Sequence, residues 1–486
     1  DHKVDNKANI SRENSLVITL SRAFFSILLV FLPFQTSKVF FTQNSFYFGF
    51  HAFYNTIFIY LTDLLIFGLI LAWLWESWRI SHENIISKII HRISSDSIYL
   101  FTMSFWLILA ISLIFSRETL LGFYGLAKIT GYLLVFAYVR ENVSREKMAF
   151  FWLILAAAGF QSLLAVFQYL TQSSVGFSLL GEEFLRPGVE CVAKFATSGI
   201  ANPLLYEIWP SLSSISGTSV VMRGYGTFPH PNVLAGFLFG ALMINLCLLY
   251  LARARVQRIV LAVLLALVST GLAVTFSRLA WAVSFLAILV FLVAIVWKYR
   301  PNRFGFPADH FYFPGRISLI IVILLISLGL NLFLFGAQIK DRVTNQEIRN
   351  IETSENYLDR KAYSHTAWNM IKAKPVFGIG FRNFVVEMDS YRKGERHLPY
   401  QHQPVHNIYL LILAEAGILA LMSFTLLAFN IVRRALVNKK SPAREMLLIV
   451  FFGFLALGFF DHYFISIQQG ALMFWLAAGL LAHKED

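Results

Sequence analysis

The stretch IVLAVLLALVSTGLAVTFSRLAWAVSFLAILVFLVAIVW, residues 259–297, carries a single charge, Arg278. A bilayer core takes about 20 apolar residues of helix. The stretch therefore holds two spans, 259–276 and 279–297, folded back on each other at Ser277-Arg278. Working outward, comparable windows run at 16–34, 55–75, 98–115, 119–139, 148–170, 232–251, 317–337, 407–432, 446–461 and 466–482, and Ser116-Arg117-Glu118 marks a second tight hairpin. The chain thus reads as an all-α polytopic membrane protein of about 12 transmembrane helices, a single integral membrane domain over residues 1–486.

Composition agrees. Apolar residues make up 57% and charged residues 14%, against roughly 25% charged in a soluble globule. Two cysteines, Cys191 and Cys247, supply neither a disulfide framework nor metal-ligand spacing, and 48 Phe residues exclude disorder.

The net charge of +13 sorts by loop. Short loops rich in Lys and Arg stay in the cytoplasm. With the N-terminus inside, loops 76–97, 140–147, 252–258, 298–316 and 433–444 hold 18 Lys/Arg, whereas 35–54, 116–118, 277–278 and 462–465 hold 3. Both termini are then cytoplasmic, and the basic balance reflects topology rather than a nucleic-acid partner. The stretch Asp1–Asn14 is too charged for the start of a signal peptide, so the first apolar run reads as a retained span.

Two long loops face outward in this scheme, 171–231 and a large one, 338–406, between helices 9 and 10. In the latter, Leu358–Ala373 reads as an amphipathic helix with Tyr363, Ala367, Met370 and Ile371 on one face. Pro375 and Gly378-Ile379-Gly380 stop it. A carrier with two similar halves would need a long cytoplasmic link after span six, where only Ala252–Arg258 lies. A transporter or flippase for an anionic lipid-linked substrate remains the alternative from another class.

Three positions stand out chemically. Arg278, in a two-residue turn between apolar helices, calls for an anion or headgroups. Arg223 opens Arg223-Gly-Tyr-Gly-Thr-Phe-Pro-His-Pro-Asn232, where glycines allow close approach and prolines fix the path into span six. Two guanidiniums at one interface suit phosphate oxygens. His406-Asn407, where the large loop enters span ten, offers an imidazole that accepts a proton or a pair that merely caps the helix. Lys128 and Asp63 are intramembrane charges that could pair, Asp461 and His462 could line a cleft, Glu415 lies mid-span, and His402 reads as solvated loop. Glu387-Met388-Asp389 is a weak divalent-ion candidate, and the first external loop, Gln35–Asn55, has no acidic residue.

These residues resemble the O-antigen ligase and polymerase superfamily: Arg223–Asn232, Phe276-Ser277-Arg278, Pro375-Val-Phe-Gly-Ile-Gly-Phe-Arg-Asn-Phe384, and Val405-His406-Asn407 followed by Gly417. The ligase pattern's last glycine is Ala420 here, which leaves ligase or polymerase open. The resemblance implies an inverting, metal-independent glycosyltransferase of the bacterial cytoplasmic membrane, with no cofactor and an outward-facing site. Its donor would be a polyprenyl-diphosphate-linked glycan and its acceptor a glycolipid or glycan such as a lipid A core. A repeat-unit polymerase or protein O-oligosaccharyltransferase is the alternative within the family. On this reading His406 is the base, supported by Asn407, while Arg223, Arg278 and Arg360 bind the diphosphate.

Overall fold

The computed structural model describes residues 20–47, 50–81, 94–144, 149–189, 192–197, 219–298, 313–344, 346–392, 402–437 and 441–483. The expectations for Asp1–Asn14 and Cys191, and most of loop 298–316, lie outside these residues.

The described chain is predominantly helical. In order come α1 (Leu20–Phe31), α2 (Leu61–Ser81), α3 (Ser97–Ser112), α4 (Thr119–Asn142), α5 (Ala149–Thr171), α6 (Pro231–Leu251), α7 (Arg255–Val274) and α8 (Arg278–Lys298). Then follow α9 (Phe313–Thr344), α10 (Gln346–Ala373), α11 (Phe384–Tyr391), α12 (Ile408–Val437), α13 (Pro442–Leu457), α14 (Tyr463–Ser466) and α15 (Gln468–Ala482). Among the described residues nine helices are long and apolar enough to cross a membrane: α2 to α9 and α12. The other three apolar windows hold shorter helices, α1, α13 and α15. The window 446–461 overran its helix because Gly458-Phe459-Phe460, though apolar, leaves the helix after Leu457.

The connecting loops carry local structure that apolar counting does not reveal. Ser37–Phe40 (β1) pairs antiparallel with Ile57–Tyr60 (β4) around a smaller pairing of Phe46–Tyr47 (β2) with Phe50–His51 (β3). Lys194–Thr197 (β5) pairs with Ser219–Met222 (β6). The amphipathic helix of the large loop is longer than its periodic segment, running from Gln346 to Ala373 as α10. Its apolar face behaves as expected, with Tyr363, Ala367, Met370 and Ile371 all buried against α11 and the start of α12.

At the centre stands α6, hydrophobic on every side and buried along almost its whole length by α5, α7, α8, α13 and α15. Its first turn is preset. Pro231 occupies the first position, and the His230 side chain caps it by accepting from the Asn232 N–H at 3.2 Å. The end where α6 and α12 begin also receives the ends of α5, α7 and α13. At the opposite end Asp96 pairs with the buried Arg140 of α4 and, at 3.0 Å, with Arg434 of α12. Asp63 and Lys128 do pair with each other, and Gln468 of α15 bridges them by accepting from Lys128 at 3.0 Å and donating to Asp63 at 2.8 Å.

Candidate active site

The segment from Arg223 to Asn232 is locked to α5 through its backbone. Gln168 Oε1 accepts from the Tyr225 and Gly226 amides at 3.0 and 2.8 Å, and Gln161 Oε1 accepts from the Thr227 amide at 2.8 Å. Gly226 has φ +61°, and a Cβ there would lie 2.3 Å from Gln161 Oε1, so the approach to α5 requires glycine. This segment holds Arg223 almost fully buried. Its Nε donates to the Thr275 carbonyl at 2.6 Å and its Nη2 to Asn232 Oδ1 at 2.7 Å.

Asn232 passes the contact on. Its Nδ2 donates to Asp461 Oδ2 at 3.0 Å, while the other Asp461 oxygen accepts from the His462 amide at 2.9 Å. His462 is buried and meets the His406 ring edge to face, with centroids 5.0 Å apart. His406 also stacks on Tyr363 of α10, at 5.8 Å and 19°. A connected series thus runs from Arg223 through Asn232, Asp461 and His462 to His406, although these residues span nearly half the chain.

Protonation follows from the contacts. His406 Nδ1 lies 3.2 Å from the Pro404 carbonyl, which can only accept, so Nδ1 carries the proton and Nε2 keeps its lone pair. Burial lowers the His406 pKa; the Asp461 carboxylate opposes this and Arg360 reinforces it. Burial also brings His462 and His230 down to about 3. Burial alone would raise Asp461, but the imidazoles of His406, His462 and His230, with Arg360, outweigh it and hold the carboxyl at about 2. The centre therefore combines a carboxylate, a neutral imidazole with a vacant basic nitrogen, and guanidiniums. It can accept a proton and bind an anion in one place.

Each anticipated residue has a definite location. Arg223 and His406 belong to the series above. Arg360 is exposed on α10, one turn before Tyr363, and acts electrostatically on His406 and Asp461. Arg278 is exposed at the start of α8, three residues beyond the Thr275 carbonyl that binds Arg223. Asn407 is a capping residue. Its Oδ1 accepts from the Tyr409 and Leu410 amides, both at 2.9 Å, and its Nδ2 holds the Phe459 carbonyl at 3.1 Å. Contrary to expectation, His402 is buried, facing Asp389 at 3.3 Å. Among the described residues no group of three or more His, Cys, Asp or Glu side chains is arranged to hold a metal ion. Asp461 and His462 turn out to be central, and their one sequence signal was a charged pair at the end of an apolar run. His230 had no signal beyond its place in the Arg223 motif.

Comparison with curated proteins gives no match. A family model described as O-antigen ligase matches residues 261–425. The match covers Arg278, Arg360, His406, Asn407 and Gly417, and stops short of Arg223 on one side and Asp461 on the other. Over residues 261–425, about a third of its length, the chain is similar to the O-antigen ligase family.

Proposed function

We propose that this membrane protein is an O-antigen ligase-like glycosyltransferase. It moves a glycan from a polyprenyl diphosphate to an acceptor hydroxyl, such as one on a lipid A core, at the outer face of the bacterial cytoplasmic membrane. The observation that carries the reading is His406, whose Nδ1–H is held by Pro404 while Nε2 stays basic, joined through His462, Asp461 and Asn232 to Arg223. Nε2 takes the proton of the acceptor hydroxyl. The freed oxygen forms a bond to the anomeric carbon from the face opposite the diphosphate, inverting its configuration. The bond from that carbon to the diphosphate oxygen breaks, and its electron pair leaves with the phosphate. Arg223, Arg278 and Arg360 take up the charge that develops on the leaving group. Fixed guanidiniums suffice for this role, so the reaction needs no metal.

The test is a transfer assay with purified protein, a polyprenyl-diphosphate glycan and candidate acceptors, run with and without chelator. His406→Ala should lower turnover by about 10²–10⁴-fold while the protein remains folded and the lipid-linked donor accumulates. Normal transfer by that variant would remove the base, and loss of activity with chelator would overturn the metal-free reaction. Ala420, at the place of the ligase pattern's last glycine, keeps a polymerase as the second reading. A ladder of chain lengths on the carrier, in place of transfer to another acceptor, would establish it.

A further inference from the structure

Arg382 is used by none of the steps above, yet its setting is unusual. It is a non-glycine residue at φ +67°, a conformation that costs energy and persists only where the surroundings impose it. Its Nη1 donates to the Ser466 carbonyl at 2.8 Å, and its guanidinium lies 5.7 Å from the Tyr124 ring centroid. Its Nε is buried without a hydrogen-bond partner, and among the described residues no carboxylate lies within ion-pair distance. Asp63 is engaged with Lys128 and Gln468, and Glu415 accepts from the Phe384 amide at 2.9 Å. A half-buried guanidinium whose Nε has no partner and which faces no carboxylate at that distance is a ready site for an anion.

The Arg382 side chain borders two small cavities. One, of about 30 Å³, is lined by Tyr60, Tyr124, Lys128 and Phe381; the other, of about 20 Å³, is lined by Tyr54 and Glu415. Each has room for the oxygens of an anionic group, not for a sugar ring. Tyr54 meets His462 edge to face at 5.3 Å, so Arg382 lies one aromatic contact away from the ring that rests on His406.

The geometry points to Arg382 as the anchor of an anionic-sugar subsite beside the transfer centre: the guanidinium binds a carboxylate or phosphate monoester borne by a sugar. The sugar identity rests on the glycosyltransferase reading; the binding does not require turnover. The test is saturation-transfer NMR on the full-length protein in detergent with methyl β-D-glucuronide, glucose 1-phosphate and the neutral methyl β-D-glucoside. At least one anionic sugar should bind and the neutral one should not, and the one that binds identifies carboxylate or phosphate as the ligand. Arg382→Gln should weaken that binding about tenfold or more, while Arg223→Gln leaves it in place. If Arg382→Gln does not fold, Arg382→Lys replaces it; it keeps the charge but not the fork, and weaker binding is again expected. The inference is overturned if neither anionic sugar binds, if the neutral sugar binds equally, or if the Arg382 variants bind like wild type. It is also overturned if Arg223→Gln alone abolishes binding, which would assign the anion to the diphosphate site. Failure of glycosyl transfer in the same preparation would count against the enzyme reading and leave this one standing.

Discussion

Gly417→Ala tests how the site is framed. Helix α12 is broken at Gly417, where φ is 77° and ψ −176°. The break frees backbone groups that Pro375–Gly380 satisfies: the Ile379 amide donates to the Ala414 carbonyl at 3.0 Å, the Gly380 amide to Glu415 at 2.9 Å, and the Ile418 amide to Pro375 at 2.9 Å. A Cβ on residue 417 would lie 2.0 Å from the Val376 carbonyl oxygen, a backbone atom that cannot swing aside. Such a backbone conformation costs a non-glycine residue about 1–3 kcal/mol. Moving Val376 by the required ångström would break about two of the three hydrogen bonds, at about 1 kcal/mol each. The expected destabilisation is about 3–5 kcal/mol. The assay is thermal unfolding of the detergent-solubilised protein by tryptophan fluorescence, where the melting temperature should fall by about 3–5 °C. Ala420→Gly, also buried in α12, supplies the comparison, since a helical glycine costs only about 1 kcal/mol. If Gly417→Ala melts like wild type, or less far down than Ala420→Gly, the break does not hold the two segments together.

Three further outcomes follow from the contacts. Asp461→Asn removes the charge that favours protonated His406, so the His406 pKa falls further. The acid limb of the transfer rate should shift to lower pH and the maximal rate should drop, which a pH–rate profile checks. The same variant should change acid stability: a carboxyl at about 2 in the fold, against its ordinary 3.8, contributes stability that is present above pH 3.8 and lost as the pH falls towards 2. Unfolding of the variant should lack that window, yet keep the loss between pH 6.5 and about 3 that comes from His230 and His462 being buried neutral. Asn232→Ala cuts the link between Arg223 and Asp461 and should slow transfer about 10²-fold without lowering the amount of folded protein, as size-exclusion yield would show. Lys128→Met leaves the Asp63 carboxylate unpaired and should destabilise by about 3 kcal/mol, whereas adding Asp63→Asn should recover most of it; a double variant as unstable as the single one would refute the pairing.

The helices were legible because burial in lipid or protein demands long apolar runs, and such runs are visible residue by residue. Their ends were less so. Gly458-Phe459-Phe460 is as apolar as the helix before it, and only tertiary contact decides that it turns. The small β-pairings of the loops left no apolar signature to count. At the site, Arg223 and His406 could be found because turn residues and a helix start frame them. Asn407 was found too, but its hydrogen bonds assign it to capping. His402 was misjudged because its polar neighbours suggest solvent, whereas the fold brings Asp389 of α11 over it.

Asp461 was placed at a cleft by the sequence, but its role was not, for a deeper reason that also explains how the centre is assembled. Its role depends on three partners that arrive from elsewhere: Asn232 at the start of α6, His406 before α12 and Arg360 on α10. No spacing along the chain encodes such a meeting. The contacts also cross the edges of the family match, since Arg223 precedes it and Asp461 follows it. The segment 261–425 supplies the imidazole, but the carboxylate that steadies its charge comes from beyond α13, and the first guanidinium from before α6. A polypeptide limited to the matched residues would therefore keep His406 and lose both the Asp461 carboxylate and the buried Arg223, and with them the linked proton and anion chemistry of the site.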